Sequence, residues 1–375
     1  IRVTMGRNTI AVLFLFVIGL FAFPPESALA REQPSSFSVM TYNVENLFDA
    51  THAIGKSDYT FLPLAIKYKR YLDDCQRLKF SVWRRQCHTW DWTDAVVEQK
   101  LTGLAQVIQS YNSPQGPDIV VLQEVENIVL LRRLARKLKS SHYQTMVLLE
   151  NTDPRGIDIG LLSRFPKVGE AQQDYFRRFV RPALSVKLSI AGTTVHIIGV
   201  HFPSQIHSPQ KARWQQMQWL KTLVEQRQNS TTTVIAAGDF NIPGGWQDSP
   251  QQRFFQFWQG FSVAHRDGCQ GCDGTHYYRS KKQWSFLDSI IASRTGPWQL
   301  ETGSVRVVRT EQNRMPKSGY PRRFQLLDKE KTTGVSDHFP LVASFVLRTE
   351  VPTGGRSQRN PTQTPSESSQ DASGF

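Results

Sequence analysis

Seven apolar runs of strand length constrain the fold of this chain more than any other feature. They are rich in Val, Ile and Phe and apolar at most positions, as strands buried on both faces are. The runs are Phe37–Val44, Asp118–Val125, Ile157–Leu162, Thr193–His201, Thr232–Phe240, Ser285–Ala292 and Leu341–Leu347. Helical patterns lie between some of them: Val97, Leu101, Leu104 and Ile108 share one helical face, and Ile128–Leu138 and Lys211–Gln226 also have helical periodicity. Strands alternating with helices predict an α/β sandwich, which we place in one domain over residues 36–348.

Polar residues appear where these buried strands end. A buried amide or carboxylate costs free energy unless it has a partner. Taken singly, each has an ordinary explanation, such as a turn for Gly-Asp-Phe-Asn or a helix cap for a Glu after a strand. Six strand ends carry them: Asn43 with Glu45, Gln123 with Glu124, His201, Asp239 with Asn241, Asp288, and Asp337 with His338. Because a stack of sheets can bring strand ends into one cleft, the set predicts an active site.

The chemistry of this set is that of phosphate-ester hydrolysis. Carboxylate and amide oxygens without clusters of His or Cys suit a hard cation such as Mg²⁺, Mn²⁺ or Ca²⁺. A histidine with a carboxylate partner suits proton transfer or stabilisation of a charged transition state. Hydrolysis of a phosphate ester needs both, so the residues predict a metal-dependent phosphoesterase.

In their order along the chain, the motifs resemble those of the endonuclease/exonuclease/phosphatase superfamily, to which deoxyribonuclease I and exonuclease III belong. They are Tyr-Asn-Val-Glu-Asn, Leu-Gln-Glu-Val, His-Phe-Pro-Ser, Gly-Asp-Phe-Asn, Leu-Asp-Ser-Ile-Ile and Ser-Asp-His-Phe-Pro, within residues 37–347. Arg155–Arg164 and Gly274–Tyr278 are similar to segments of exported bacterial members. The resemblance implies a four-layer α/β sandwich, with two mixed β-sheets packed together and flanked by helices.

The resemblance also implies a metal site. Glu124 corresponds to the main metal-binding carboxylate. Asn43 and Glu45 correspond to residues that help to hold metal and phosphate, and Asp337 to a further acid on the metal side. The implied cofactor is Mg²⁺, with Mn²⁺ or Ca²⁺ as alternatives.

The resemblance assigns catalytic roles to five further positions. Asp239 corresponds to the residue that orients or activates the attacking water, and Asn241 to a donor to the scissile phosphate. His338 corresponds to the catalytic histidine, whose tautomer Asp288 fixes. His201 corresponds to a phosphate-contacting histidine and is a candidate acid for the leaving group.

Two more residues, Arg155 and Asp158, are expected to bind substrate. Related exported members often carry Asn immediately before the equivalent of His201, where this chain has Val200. This departure concerns one phosphate contact of the family and not catalysis.

The N-terminus has the pattern of a secretory signal peptide. Arg2 and Arg7 precede an apolar run from Ile10 to Phe23, and the small-x-small site Ala28–Ala30 follows. The run has 14 residues, short for a membrane span, so a retained anchor is the less favoured alternative. We interpret residues 1–30 as a signal peptide and expect a periplasmic or secreted protein.

Four cysteines agree with export, because an even count outside the cytosol suggests disulfides. Cys75–Cys87 with Cys269–Cys272 is the simplest of three connectivities. A zinc site made from all four cysteines and a redox-active Cys269–Cys272 pair are the alternatives.

Charge and composition bear on the substrate. The formal net charge is +13, which favours polyanionic partners. An insertion at residues 49–93 carries eight Lys or Arg against three Asp between Lys56 and Trp90, interleaved with Tyr and Trp. Such a surface suits phosphates and stacked bases, but a structured cap fits the pattern equally well. Arg306–Lys331 is a second basic stretch, and residues 349–375 are expected to be a disordered tail.

The leading hypothesis is an exported nuclease that cuts DNA, and RNA as a further substrate, by in-line attack of an activated water. The alternative is a phosphodiesterase or phosphatase that acts on lipid headgroups or small phosphate esters. A third class, a binding protein that retains the fold without catalysis, is disfavoured because every matched catalytic position is filled. The sequence predicts no stable membrane insertion, and no protein partner can be inferred from it.

Overall fold

This computed structural model describes residue 1 and residues 33–177, 181–205, 209–269, 271–328 and 330–348. The predicted signal peptide, apart from residue 1, and the predicted tail at residues 349–375 lie outside the described residues.

The strands are β1 Ser36–Leu47, β2 Ile119–Val125, β3 Thr145–Leu148, β4 Asp158–Ser163, β5 Gln172–Asp174, β6 Ala183–Ile190, β7 Thr193–His201, β8 Thr232–Asp239, β9 Ser262–Val263, β10 His276–Tyr278, β11 Gln283–Ser285, β12 Asp288–Ala292, β13 Trp298–Leu300, β14 Arg306–Val307, β15 Gln325–Asp328, β16 Lys331–Thr333 and β17 Leu341–Leu347. The helices are α1 Leu64–Arg70, α2 Leu72–Arg77, α3 Ser81–Thr89, α4 Asp94–Gln109, α5 Ile128–Lys137, α6 Gln210–Arg227, α7 Ser249–Phe257 and α8 Ala264–Asp267, with short 3₁₀ turns at Tyr59–Phe61 and Lys139–Ser141.

Two large mixed sheets form the centre of the described chain. The first has the order β13-β17-β1-β2-β4-β3, with β14 also paired to β17, and the second has the order β5-β6-β7-β8-β12-β9. Parallel pairs join β1 to β2 and β7 to β8, whereas β17 and β12 run antiparallel to their neighbours. The predicted two mixed sheets are confirmed.

Three apolar clusters lie between four layers. Alternate residues of the inner strands, such as Val39 and Val121 from the first sheet and Ile197 and Ile235 from the second, fill the space between the sheets. The opposite face of the first sheet packs against α4 and α5, and that of the second against α6 and α7. Because both faces of each sheet are covered, the strands are apolar at successive positions, and the predicted four-layer sandwich is confirmed.

Capping side chains fix the starts of two of these helices. The Thr93 side chain accepts a hydrogen bond from the backbone amide of Val96 at the start of α4, and Asn127 accepts one from Leu130 at the start of α5. Each cap satisfies a backbone donor that has no partner within its helix. The Asn127 side chain also donates to Asp49 at 2.9 Å and to Glu126, the residue that follows β2, at 3.3 Å.

Residues 49–93 fold into a cap, made of the short helices α1, α2 and α3. A disulfide joins Cys75 to Cys87, and a second joins Cys269 to Cys272. Both predicted disulfides are confirmed, and the alternative zinc site is wrong because all four cysteines are bonded in pairs. The aromatic residues of the cap pack partly on one another, as Tyr59 does on Tyr71. This packing agrees with the alternative of a structured cap.

Some elements were not predicted from the sequence. β6, α7 and the three cap helices are present without having been expected, and the predicted strand Ser285–Ala292 is divided into β11 and β12, so that Asp288 begins a strand and does not lie within one. The described helices include none with the length and apolarity needed to cross a bilayer.

Candidate active site

The site lies at one end of the space between the two sheets, where the inward-facing positions change from apolar to polar. On β8, Ile235 and Ala237 face the other sheet, and Asp239 follows them at the same spacing of two. Asp239 is paired in register with His201 on one side and with Asp288 on the other. The three side chains therefore come together because three neighbouring strands end at the same level.

A glycine allows these strands to approach one another. A Cβ atom at Gly238 would lie 1.9 Å from the carbonyl oxygen of Val200 on β7. Only a residue without a side chain fits between β7 and β8 at this point, directly before Asp239.

His338 and Asp288 form a buried dyad. The Nδ1 atom of His338 lies 2.7 Å from Oδ2 of Asp288, and the Ser336 hydroxyl accepts a hydrogen bond from the His338 backbone amide at 3.1 Å. Burial alone would lower the pKa of His338, but the charges of Asp288, Asp239 and Asp337 outweigh it and raise the pKa to about 10. The imidazole is therefore held as a cation, with Nε2 left for a substrate.

Asp239 is held by two asparagines that the sequence had assigned to the site. The side chain of Asn43 donates to Oδ2 of Asp239 at 3.1 Å, and the backbone amide of Asn241 donates to Oδ1 at 2.8 Å. The Asn241 side chain donates to the Phe202 carbonyl at 3.0 Å. Burial raises the pKa of Asp239 to about 7, and the charge of Asp288 adds to the rise. A carboxylate with such a pKa can accept a proton near neutral pH.

Glu124 sits next to this group. Its Oε1 atom lies 3.8 Å from Nε2 of His201, which is also 3.8 Å from Oδ2 of Asp239. Its Oε2 atom accepts from the backbone amide of Asn46 at 3.0 Å and lies 3.5 Å from a guanidinium nitrogen of Arg155. Arg155 thus contacts Glu124 at the limit of hydrogen-bonding distance.

Four non-glycine residues around the cluster adopt left-handed backbone conformations. Glu45, Asn46, Glu124 and Asn241 have φ angles of 51°, 60°, 66° and 51°. Such conformations cost free energy and persist where the surrounding structure enforces them, which is typical of functional sites.

Arg181 is a site residue that the sequence reasoning missed. Its Nη1 atom lies 2.5 Å from Nδ1 and 2.8 Å from Nε2 of His201, and its Nε atom lies 3.4 Å from Asp153. Burial and the neighbouring Arg181 charge lower the pKa of His201, so this imidazole is neutral. Arg181 precedes β6, a strand that was not predicted, so nothing in the pattern placed it at a strand end.

Arg323 is the second missed residue, and it binds two of the predicted metal-side acids. It donates to Oε1 of Glu45 and, at 2.7 Å, to Oδ2 of Asp337. Burial alone would raise the pKa of Asp337, but the charges of Arg323 and His338 hold it below its usual range. Burial and Asp337 raise the pKa of Glu45 to about 7, which Arg323 opposes. The second basic stretch contained Arg323, but it did not distinguish this cation from its neighbours.

His276 completes the wall of the cluster. Its Nδ1 atom lies 2.9 Å from the Asp337 carbonyl oxygen, and its ring centre is 4.9 Å from that of His338. Burial and the charge of His338 lower the pKa of His276 to about 4, so its ring is neutral. The Gly274–Tyr278 resemblance indicated this segment without assigning it a role.

The two predicted substrate-binding residues differ in position. Arg155 reaches the site, where it contacts Glu124 and the side-chain oxygen of Asn46. Asp158 accepts a hydrogen bond from the backbone amide of Asn151 at 2.8 Å and so fastens the loop that carries Arg155. Asp158 therefore stabilises the loop that carries Arg155.

The donor atoms fit a hard divalent cation. Among the described residues, Asp239, Asp288 and His338 bring one polar side-chain atom each to within 4.8 Å of one another, as do His276, Asp337 and His338. The carboxylates of these groups are available to a metal ion, whereas the cationic His338 is not. Oδ1 of Asp288 is buried and accepts no hydrogen bond. Carboxylate oxygens dominate the cluster once Glu124 is included, which suits Mg²⁺, Mn²⁺ or Ca²⁺.

Comparisons with known proteins agree with this geometry. The model of the Endonuclease/Exonuclease/phosphatase family matches residues 40–338. A search of curated proteins finds no match.

Several solved structures resemble the fold. They include SmcL (TM-score 0.52, 16% identity, covering 84% of this chain and 99% of that one), humanized D. rerio TDP2 (0.51, 15%, 83% and 99%) and the Bacteroides thetaiotaomicron mannosyl-6-phosphatase Bt3783 (0.50, 15%, 83% and 100%). At these identities the likeness shows the fold alone.

Proposed function

The chain belongs to the Endonuclease/Exonuclease/phosphatase family, whose members are hydrolases of phosphoesters, and on that premise we propose that it is an exported, divalent-metal-dependent phosphodiesterase that cuts nucleic acid. One observation carries the proposed chemistry. Asp239, a carboxylate with a pKa of about 7, lies in register between His201 and Asp288, and Asp288 holds the cationic His338.

The residues divide the work of an in-line displacement. Asp239, oriented by Asn43 and the Asn241 amide, accepts a proton from the attacking water. His338 presents its positively charged Nε2 to the phosphoryl oxygens, where negative charge grows in the transition state. Glu124 would hold a divalent ion, which would supply further charge neutralisation on the phosphate.

On the other side of Asp239, His201 and the cation Arg181 form a positively charged wall. Arg181 lies within hydrogen-bonding distance of the His201 ring, and Asp153 anchors it at 3.4 Å. Arg155 adds a second guanidinium beside Glu124. These groups are suited to hold a phosphodiester and to stabilise the departing oxygen.

Nucleic acid is proposed as substrate because a polyanion matches the charge of this chain. The formal net charge is +13, and the exposed cations of the cap include Lys69, Arg70, Lys79 and Arg85. The cap directly follows β1 in the sequence, and β1 supplies Asn43 and Glu45. Export is supported by the N-terminal sequence pattern and by the two disulfides, which persist in oxidising compartments.

The test is incubation of the purified protein with supercoiled plasmid, with Mg²⁺ and with EDTA. We expect nicking that depends on the metal, that is lost in His338→Ala and that persists in His142→Asn, a change at an exposed histidine outside the cluster. If a panel of small phosphate esters or lipid headgroups turns over while plasmid stays intact, the alternative phosphodiesterase or phosphatase replaces the nuclease. Near-normal nicking by His338→Ala would refute the assignment of the catalytic centre.

A further inference from the structure

Arg323 bridges two carboxylates that come from distant parts of the chain. Glu45 lies at the end of β1, and Asp337 lies before β17. The guanidinium donates through Nε to Oε1 of Glu45 and through Nη2 to Oδ2 of Asp337, the second bond being 2.7 Å long. A planar guanidinium suits such a bridge because its donors point in fixed directions.

The backbone holds Arg323 in this position. Gly334 has a φ angle of +71°, and a Cβ atom there would lie 2.2 Å from the carbonyl oxygen of Arg323. The amide of Val335 also donates to the Arg322 carbonyl at 2.8 Å. The segment that carries Arg323 is therefore packed against the segment that leads to Asp337, although the Arg323 side chain is about half exposed.

Glu45 has protein partners for both of its oxygens. Oε1 is bound by Arg323, and Oε2 accepts from the backbone amide of Phe324 at 2.9 Å. Lys100 supplies a second positive charge: its side chain is buried, with Nζ 3.3 Å from the Val335 carbonyl oxygen and 4.4 Å from the centre of the Phe324 ring.

Charges therefore balance on this side of the site. The two carboxylates Glu45 and Asp337 face the two cations Arg323 and Lys100, and Nε2 of the cationic His338 lies 3.9 Å from Oδ1 of Asp337. Glu124 differs, because its nearest guanidinium, that of Arg155, lies 3.5 Å from Oε2, an atom that also accepts the backbone amide of Asn46 at 3.0 Å. Its Oε1 atom lies 3.8 Å from Nε2 of His201. The negative charge of Glu124 is therefore less fully compensated than that of Glu45 and Asp337, and it attracts a divalent ion.

We propose that Arg323 is a resident cation that takes the place of a second divalent ion, so that the site binds one divalent ion beside Glu124 and none between Glu45 and Asp337. This inference rests on the proposed metal-dependent function. The inference also removes Glu45 from the set of metal ligands that the sequence predicts, because Glu45 would bind the guanidinium of Arg323. Arg323 acts here as a positioning residue for the two carboxylates.

The test is the number of Mn²⁺ ions bound per chain, measured by calorimetry and by electron paramagnetic resonance of free Mn²⁺ on the full chain. We expect one ion for the wild type, for Arg323→Lys, which keeps the charge, and for the neighbouring control Arg322→Met. Arg323→Met should bind two ions, because Glu45 and Asp337 would lose the cation between them. Circular dichroism checks that this variant is folded.

Glu45→Gln tests the inference even if Arg323→Met does not fold. We expect it to bind one ion with an unchanged Kd, whereas loss of a metal ligand would raise the Kd by at least about tenfold. Two ions on the wild type, one of them lost in Glu45→Gln, would overturn the inference and leave the proposed function standing. An absence of Mn²⁺ binding together with an absence of metal-dependent turnover would overturn both.

Discussion

At the residue scale, the dyad of His338 and Asp288 separates charge stabilisation from proton transfer. Asp288 is fully buried, and its Oδ2 atom lies 2.7 Å from Nδ1 of the His338 imidazole. The dyad thus keeps a positive charge fixed at one place, while Asp239 nearby has the pKa needed to take up a proton. Environment therefore gives two neighbouring carboxylates different roles.

We predict that Asp288→Asn lowers the turnover number by about 100-fold or more, because an amide neither stabilises the imidazolium nor fixes its orientation in the same way. The measurement is the steady-state rate of phosphodiester hydrolysis at saturating metal, with circular dichroism to confirm the fold. Asp273→Asn, at an acid that pairs with Arg309 outside the cluster, is the matched control and should retain activity. Equal rates for both variants would contradict the role given to Asp288.

The sequence was sufficient to predict the residues that stand at strand ends, and insufficient for those that reach the site from elsewhere. Asn43, Asp239 and His338 interrupt apolar runs, and that interruption is visible in one dimension. Arg181 and Arg323 lie in loops rich in arginine, so their identity as site residues depends on which carboxylate or imidazole the fold brings to them. Only the three-dimensional pairing distinguishes them from exposed arginines.

At the element scale, the cap is a small helical unit that depends on cross-links and on one buried amine. Its helices have between six and nine residues, too short to be stable alone. The disulfide Cys75–Cys87 joins α2 to α3, and Lys67 on α1 donates to the carbonyl oxygens of Thr60 and Trp90 at 3.0 and 2.5 Å. These contacts hold together an element with little apolar core of its own.

We predict that Cys75→Ser with Cys87→Ser destabilises the cap by about 2–4 kcal/mol, because the unfolded cap regains chain entropy. Hydrogen exchange of α1–α3 should accelerate, while the amides of β7 and β8 stay protected. Cys269→Ser with Cys272→Ser is the comparison: these cysteines are three positions apart and close a much shorter loop, so the effect there should be smaller. Unchanged exchange in the cap of the first variant would contradict its dependence on the disulfide.

Lys67 gives the cap a dependence on pH. Burial lowers its pKa to about 7, which the charge of Asp91 partly offsets. Between pH 7 and about 10 the unfolded chain binds more protons at this residue than the folded chain does, so stability should rise with pH, by at most about 1.4 kcal/mol per unit.

The measurement is the free energy of unfolding by urea at pH 7 and at pH 9.5, for the wild type and for Lys67→Met. The wild type should gain stability relative to this variant as the pH rises. Lys69→Met, at an exposed lysine of the same helix, should change with pH as the wild type does. A difference between wild type and Lys67→Met that is equal at both pH values would contradict the assignment.

Elements buried on both faces were predictable, and those with mixed patterns were not. β1 and β8 are continuous apolar runs and were found within a few residues of their true ends. The cap helices are short and mix charged with apolar and aromatic residues, so their pattern matched a binding surface and a folded cap equally. β6 contains Lys187 at an exposed position and Ser185 and Ser189 within the strand, which hid its apolar face.

At the scale of the whole molecule, positive charge is present both at the site and on the cap. Arg155, Arg181 and Arg323 surround the polar cluster, and the cap adds exposed cations. When such charges neutralise phosphates, counterions are released from the nucleic acid, and binding therefore weakens steeply as the salt concentration rises. The substrate class can therefore be tested by equilibrium binding, independently of turnover.

We predict that the inactive variant His338→Ala binds duplex DNA with a logarithmic salt slope of about −0.9 for each phosphate contacted, measured by fluorescence anisotropy over a range of KCl concentrations. The contribution of the cap to this salt slope is measured in the His338→Ala background. Four exposed cations of the cap are changed together to Gln, namely Lys69, Arg70, Lys79 and Arg85. The control changes the same number of exposed cations on the outer helical layers and nearby, namely Arg132, Arg136, Lys139 and Lys211. Both sets remove the same net charge. The cap variant should therefore have a shallower salt slope than the control only if the cap contacts phosphates directly. Equal slopes for the two sets would restrict the DNA contact to the site arginines. A slope near zero for His338→Ala with an unchanged cap would favour a small phosphate ester as the substrate.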